Sequence, residues 1–190
     1  MRDEAIDPID GVQLLRSYLL HCRHVRSGLR AVMHALDNRA EDHDTTKLSA
    51  DEFAGFSRIN KAAREHPYGS EEYRAGLRQE KPTIERHYTR NRHHPEFHGT
   101  DAKVPTTDEA RVTISTGRCL ADDMSFLDII EMVCDWRGAY LGYGSQGTWT
   151  ENMERQRQRY NGWFTAGQWW LIDQVSAFFD EYDHHPRQIA

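Results

Sequence analysis

The chain has 190 residues, which is enough for one sizeable buried core and too few for two domains of usual size. Charged residues make up 28% of it, yet five Trp, eight Tyr and seven Phe supply apolar area that disordered chains lack, so we expect a folded protein. The net charge of -6 argues against general nucleic-acid binding through phosphate neutralisation. Eleven His raise the expectation of a metal site, although surface His are commoner.

The cysteines and the N-terminus indicate where the protein works. Cys22, Cys119 and Cys134 are far apart and lack CxxC spacing, so neither a disulfide framework nor a zinc ribbon is indicated. No apolar run approaches the ~18 residues of a membrane span, and the acidic N-terminus does not match a signal peptide. We therefore expect a cytoplasmic protein without membrane association.

The first predicted helix follows Pro8 and covers roughly seven turns. Its apolar residues recur at three- and four-residue steps, at Leu15, Tyr18, Cys22, Val25, Leu29, Val32 and Leu36. His21 lies at the edge of this face, which makes it the candidate metal ligand of the helix. Without further ligands, a core-edge histidine held by a hydrogen bond is the favoured interpretation.

His43 and Asp44 follow this helix and offer a divalent metal one nitrogen and one carboxylate ligand from a single turn of backbone. Most His-Asp pairs are solvated surface, so this pair needs support from other ligands. Lys47 would stand close to such a metal and could neutralise a substrate phosphate. An ordinary solvated lysine is the alternative.

A capping box is predicted at Ser49-Ala50-Asp51-Glu52, where Glu52 would bond back to the Ser49 amide. The helix behind it would turn Phe53, Phe56 and Ile59 inward. Because Glu52 is close in sequence to the His-Asp pair, it is also a candidate catalytic group.

The densest group of candidate ligands lies in the fourth predicted helix. His87, Asn91 and His94 are spaced four and three residues apart, so they would project from one helix face towards the same point. Pro95 disfavours helical geometry at His94, which would end the helix there and free His93 to turn inward. A polar solvated face is the alternative.

Residues 99–123 show weak periodicity and are predicted to form one long irregular insertion, which could be a hairpin or an ordered flap. The helix that follows is apolar on almost every side and should be central. Asp128, Glu131 and Asp135 share one stripe of it, and a carboxylate there is costly unless it is paired. Asp135 as a metal ligand would remove that cost, as would a salt bridge to Arg. Asp128 and Glu131 are candidates to orient a ligand His.

Long helical periodicity and almost no strand alternation predict an all-α fold of six to eight helices. Later helices are predicted over about 150–160 and 165–182. No internal repeat or linker interrupts the pattern, so we predict a single compact domain over residues 1–183 and a flexible tail over residues 184–190.

These residues resemble the HD-domain superfamily of metal-dependent phosphohydrolases, over about residues 15–140. The likeness consists of a first-helix His, the name-giving His-Asp motif with a Lys, and a late helical Asp, which stand here at His21, His43, Asp44, Lys47 and Asp135. The pair His93-His94 is similar to that of the cyclic-dinucleotide phosphodiesterase branch, whose downstream Gly-Tyr-Pro is absent. The chain also resembles small phage and bacterial proteins of unknown function that share the HYxxNxHHPE and DxIEMxCDW stretches.

The resemblance implies hydrolysis of a nucleoside mono- or triphosphate by a metal-activated water, in a chain that binds a small nucleotide and no stable nucleic acid. It implies one or two ions of Mn²⁺, Fe²⁺ or Co²⁺, with Mg²⁺ or Zn²⁺ as further options. Candidate ligands are His21, His43, Asp44 and Asp135 for one ion, and His87, His93 and His94 with Asp44 for a second. Catalytic roles would fall to Asp44, Lys47 and Glu52, and substrate contacts to Lys47, Arg90, Asn91 and Arg92.

Three other functions remain open at this point. They are a cyclic mono- or dinucleotide phosphodiesterase, a di-iron oxygenase of the same superfamily, and a metal-stabilised binding protein without turnover. A homo-oligomer is also an open option.

Overall fold

The structure, a computed structural model, describes residues 8–67, 70–98, 119–142 and 147–184. Within these ranges it contains eight α-helices, one 3₁₀ helix and no strand, which confirms the predicted all-α fold. The predicted insertion is described only over residues 119–123, and the predicted tail only at residue 184, so the rest of both lies outside the described residues.

The chain divides into two compact units, Met1–His43 and Asp44–Ala190. The single domain over residues 1–183 stays a prediction. No helix in the described ranges combines the length and the apolarity that crossing a membrane would require.

The helix α1, Pro8–Asp42, makes up nearly all of the described part of the N-terminal unit. It is longer than the predicted seven turns because helix-compatible residues continue beyond Leu36. Its apolar stripe was predicted to be buried, but Leu15 is 57% and Leu29 is 63% exposed. A single helix cannot cover its own apolar face, so burial of this stripe would need contacts from outside the unit and stays a prediction.

In the described part of the second unit there are the 3₁₀ helix and seven α-helices. They are the 3₁₀ helix Thr45–Leu48, α2 (Phe53–Glu65), α3 (Glu71–Gln79), α4 (Lys81–Tyr88), α5 (Pro95–His98), α6 (Phe126–Gly142), α7 (Trp149–Arg159) and α8 (Ala166–His184). Local sequence signals start two of them. Ser70 accepts a hydrogen bond from the Tyr73 amide at 3.2 Å, and Thr148 and Glu151 form a reciprocal capping box.

The main core of this unit lies where α6 packs against α8, with α7 and the loop after it. Its fully or nearly buried members are Ala121, Met124, Ile129, Met132, Val133, Trp136, Trp149, Tyr160, Trp163, Phe164 and Ile172. Trp136 stacks on Tyr160 with ring centroids 5.5 Å apart. The sequence predicts that α6 is buried on almost every side. Only one side is buried in the structure, since Phe126 is 51% and Leu141 is 64% exposed.

The start of α2 differs from the prediction. The Glu52 side chain makes no capping hydrogen bond, so the predicted capping box is wrong. Phe53 is 57% exposed instead of facing inward, while Glu52 and Gly55 are buried. Phe56 and Ile59 are half-buried, so of the three residues predicted to face inward only Phe53 is exposed.

The sequence predicts that α4 extends to His94. In the structure this helix ends at Tyr88. Side chains cap its last carbonyls, because Asn91 Nδ2 donates to the His87 carbonyl at 2.8 Å and Thr89 Oγ1 donates to the Arg86 carbonyl at 3.0 Å. The chain then turns through residues 89–94 before α5 begins at Pro95. The imidazoles of His93 and His94 are thus presented by a turn.

Candidate metal centre

Asp44 is the first residue of the second unit and has an unusual backbone conformation. Its φ of 57° and ψ of 12° place it in the left-handed region, the only non-glycine residue with positive φ in the described ranges. Asp tolerates this region better than most residues, and such outliers concentrate at functional sites. The 3₁₀ helix follows directly, with the Lys47 amide donating to the Asp44 carbonyl at 2.9 Å. A tight turn therefore sets the direction of this carboxylate.

Four side chains of this unit bring potential ligand atoms together, each within 4.8 Å of the others: Asp44, His87, His93 and His94. Asp44 Oδ1 lies 3.0 Å from His87 Nε2 and 3.4 Å from His93 Nε2. The ring of His94 lies 4.1 Å from that of His93 and 4.9 Å from that of His87. These separations suit donor atoms placed around one cation with bonds of about 2.1 Å.

The Nε2 atoms of His87 and His94 are buried and have no hydrogen-bond partner among the described residues. A buried polar atom without a partner costs free energy, so native structures rarely contain one without a reason. A cation at the centre of the four side chains would satisfy both nitrogens. The donor set therefore fits a metal ion, and the cluster could hold one.

Asp135, on α6, belongs to a second possible ligand group that overlaps the first. It offers a carboxylate oxygen within 4.8 Å of ligand atoms of Asp44 and His93. The two groups share both of these residues. Asp135 is half-buried, so it occupies the edge of the helix face and is less enclosed than the apolar sequence around it indicates.

A series of hydrogen-bonded polar side chains contacts His87 on the Nδ1 side of its ring, opposite the Nε2 atom that faces the cluster. Glu52, which is fully buried, places Oε2 3.0 Å from His87 Nδ1, and Thr46 Oγ1 donates to the same carboxylate oxygen at 3.0 Å. Asn91 Nδ2 donates to Thr46 Oγ1 at 2.8 Å. With an ion bound, the His87 proton would lie on Nδ1, facing Glu52, and the Nε2 lone pair would point into the cluster.

His93 also has a carboxylate partner at Nδ1, which comes from α6. Its Nδ1 lies 3.2 Å from Glu131 Oε1 of α6, and the ring is buried. A carboxylate at Nδ1 fixes the tautomer and leaves Nε2 for a ligand. Glu52 and Glu131 thus play matching parts behind His87 and His93.

The charges in the cluster are set by these contacts. Burial alone would raise the pKa of Asp44, but the His87 and His93 rings and the Lys47 ammonium hold it far below its usual range, so this side chain is an anion. Burial, together with the neighbouring His93 and His87, holds the pKa of His94 well below its usual range, so its imidazole is neutral near pH 7. An anionic carboxylate and neutral imidazoles are the forms that bind a metal.

Lys47 pairs with Asp44 Oδ2, and its ammonium lies 5.1 Å from the centre of the Phe56 ring. It is therefore beside the cluster, as predicted from its position three residues after Asp44. The side chain is one-third exposed, so its charge is available to an anion from solvent.

The residues predicted to contact substrate have protein partners. Arg90 donates to Asp51 at 3.1 Å and to Glu52 at 3.4 Å. Arg92 donates to both oxygens of the buried Asp128 at 3.3 and 3.2 Å. Asp128 also accepts from the Ser125 hydroxyl and amide, so its described contacts anchor Arg92 and the start of α6.

His21 and His43 belong to the N-terminal unit. His21 is an exposed residue of α1, and His43 immediately follows this helix and is covalently joined to Asp44. Their assignment as metal ligands stays a prediction.

The sequence did not single out several residues that surround the cluster. Thr46 links Glu52 to Asn91, and the Tyr88 ring lies 4.5 Å from the His94 ring. Arg159 of α7 reaches Tyr88 Oη at 3.5 Å and Glu96 Oε1 at 3.6 Å. Their sequence signal was proximity, since Thr46, Tyr88 and Glu96 lie within the two ligand-bearing stretches.

The fold and this cluster define an all-helical protein with a buried His/Asp group that could hold a metal ion. Residues 12–182 match the model of a family described as "Family of unknown function (DUF5662)", and the chain belongs to that family. No curated protein and no solved structure matches the chain.

Proposed function

We propose that the protein is a metal-dependent phosphohydrolase that acts on a small nucleotide through a metal-activated water. One observation carries the proposal: the buried Nε2 atoms of His87, His93 and His94 converge on the anionic Asp44. The HD-like order of His43-Asp44, Lys47 and Asp135 supports the phosphoester class over other hydrolyses.

The donor set favours a transition metal over Mg²⁺, because three imidazoles and one carboxylate suit Mn²⁺, Fe²⁺ or Co²⁺ better than an ion that prefers oxygen ligands. When bound, such an ion supplies Lewis acidity and lowers the pKa of water. His87, His93, His94 and Asp44 would hold it, while Glu52 and Glu131 keep the rings of His87 and His93 in place.

Lys47 supplies positive charge at the open side of the cluster. Its ammonium, one-third exposed and held beside Asp44, can pair with a phosphoryl oxygen of the substrate and offset the charge that develops there. Glu52 is fully buried and occupied by Thr46 and His87, so it acts through His87 and does not contact substrate. We thus place Glu52 as a positioning residue.

Phosphate release under anaerobic conditions tests the proposal. The full chain loaded with Mn²⁺ is incubated with a panel of nucleoside mono- and triphosphates, whose hydrolysis frees ortho-, pyro- or tripolyphosphate. Cyclic nucleotides, whose ring opening frees no phosphate, are assayed in parallel for the linear monophosphate. We expect release from at least one class, reduced by about 100-fold or more in His87→Gln, which removes a ligand. His34→Gln, an exposed histidine on α1, is the matched control and should retain full activity. No release from any nucleotide would contradict the proposal.

A di-iron oxygenase is the second candidate, and the overlap of the two ligand groups favours it. Asp44 and His93 belong to both groups, an arrangement that could place two ions close together. Imidazole and carboxylate ligands also suit iron that reacts with O₂. Oxygen consumption by the Fe²⁺-loaded protein, without phosphate release, would support this candidate.

A further inference from the structure

The two carboxylate oxygens of Asp44 have different partners. Oδ1 lies 3.0 Å from His87 Nε2 and 3.4 Å from His93 Nε2, on the side of the three imidazoles. Oδ2 pairs with the Lys47 ammonium. An ion held by the imidazoles would therefore use Oδ1, while Oδ2 is engaged by a protein cation.

A second ion at the overlapping group would have to share Asp44 with the first. His93 cannot serve both ions, because its Nδ1 faces Glu131 at 3.2 Å and only Nε2 points into the cluster. Within the second unit, the second ion would then depend on Asp135 and on the remaining oxygen of Asp44. That oxygen is the one that Lys47 engages.

Two contacts orient the Lys47 side chain towards Asp44. Its amide donates to the Asp44 carbonyl at 2.9 Å within the 3₁₀ turn, and its ammonium lies 5.1 Å from the Phe56 ring centre. The backbone turn and the aromatic face both favour the orientation that brings the charge to Asp44. A divalent ion approaching Oδ2 would meet this charge at short range and would be repelled.

We propose that the Lys47 ammonium takes the place of a second cation at Asp44, so that the chain binds one divalent ion and excludes another at Asp44 and Asp135. The inference rests on the metal site of the proposed function and specifies its stoichiometry. It also disfavours the di-iron candidate, because one of the two positions is filled by the protein itself.

Mn²⁺ titration of the metal-stripped full chain tests the proposal, with elemental analysis for stoichiometry and electron paramagnetic resonance for coupling between ions. Wild type should bind one Mn²⁺ without a spin-coupled signal. Lys47→Met, which keeps the side-chain length and removes the charge, should bind two with a coupled signal, the second at least about tenfold tighter than any second step in wild type. Lys47→Arg keeps a positive charge and should bind one.

Two controls locate the effect. Lys61→Met removes a lysine charge on the exposed side of α2 and should leave the stoichiometry at one. In the double variant Lys47→Met, Asp135→Asn the second ion should be lost, because Asn is a poorer ligand than a carboxylate, while the first ion stays.

The outcomes separate this inference from the site on which it rests. Two ions in wild type, or one ion in a folded Lys47→Met that keeps the first, would overturn the role of Lys47 and leave the metal site standing. Binding of no Mn²⁺ by wild type would overturn the metal site and this inference together.

Discussion

Glu52 is not among the four candidate ligands, but it contacts one of them, His87, and fixes its orientation. Its carboxylate is fully buried, yet both oxygens have partners, since Oε2 meets His87 and Thr46 and Oε1 meets Arg90. A buried carboxylate is costly unless its hydrogen bonds are complete. Such a group is retained here in a position where it sets the tautomer of His87.

Substitution of Glu52 should therefore change metal affinity more than fold. Glu52→Gln preserves the shape but removes the charge that favours a proton on His87 Nδ1, so Mn²⁺ affinity should fall by about 10–100-fold. Isothermal titration calorimetry measures the change. Glu154→Gln, on the exposed side of α7, is the control. Equal affinities for the two variants would contradict the positioning role of Glu52.

Tyr160 makes the stability depend on alkaline pH. Burial and the neighbouring Glu96 raise its pKa well above the usual value, although Arg159 opposes this. The folded protein thus keeps the neutral phenol while the unfolded chain ionises above about pH 10. The stability that the neutral phenol contributes is complete below pH 10 and is lost as pH rises towards the folded-state pKa.

Urea unfolding between pH 9 and 11 should accordingly show stability falling with pH, and Tyr160→Phe should make this slope shallower by removing one ionisable group. Tyr18→Phe, at a side chain that is 59% exposed, should leave the slope unchanged. A slope that is the same in wild type and Tyr160→Phe would show that other groups cause the alkaline loss.

At the scale of elements, α2 and α4 approach each other closely at Gly55. A Cβ built on this glycine would lie 2.3 Å from Thr83 Oγ1 and 2.8 Å from Thr83 Cβ. Thr83 is one helical turn before His87, so this contact also sets the height of the His87 ring along α4. Glycine is used at this position for space, since its backbone conformation is an ordinary helical one.

Gly55→Ala should push the two helices apart and destabilise the fold by about 1–3 kcal/mol, the usual range for overpacking. Gly138→Ala is the matched control because nothing lies within 4 Å of its Cβ position in α6, and there alanine should stabilise by up to about 1 kcal/mol. Urea unfolding measures both. If the first substitution is neutral, the contact between α2 and Thr83 is not tight.

These elements also show what the sequence could and could not predict. The 3.6-residue periodicity of α1 and the cap at Ser70 depend on neighbouring residues, so both helices could be predicted. The end of α4 depends on Asn91 and Thr89 bonding back to carbonyls, a choice that helical spacing does not reveal. The exposure of Phe53 depends on the partner of Glu52, which is 35 residues away in sequence.

For the cluster, residue types were more informative than helical geometry. His87, His93 and His94 do meet Asp44, but only His87 lies on α4, and the turn after this helix brings His93 and His94 there. Glu131 was a predicted partner of a ligand His, but its pairing with His93 and the presence of Thr46 follow from contacts between distant segments. Such contacts need the tertiary structure, because spacing alone cannot reveal which face of α6 turns towards His93.

At the scale of the second unit, the apolar core and the candidate metal site lie in different places. Aromatic residues between α6, α7 and α8 form the apolar core, whereas α2, α4 and the turn after α4 meet through buried polar groups around His87. The polar region has fewer apolar contacts to stabilise it and contains nitrogen atoms that a cation would satisfy. A bound ion should therefore contribute measurably to the stability of the protein.

Binding to the folded state alone stabilises by mass action, so Mn²⁺ at about 100 times its Kd should add about 2.7 kcal/mol to the free energy of unfolding and raise the melting temperature. His94→Gln should lose this increment, because it removes a ligand. In excess chelator, wild type and His94→Gln should melt at similar temperatures, since neither then carries an ion. A lower melting temperature of His94→Gln under chelator would instead assign this imidazole to packing against Tyr88, the contact that its ring makes at 4.5 Å.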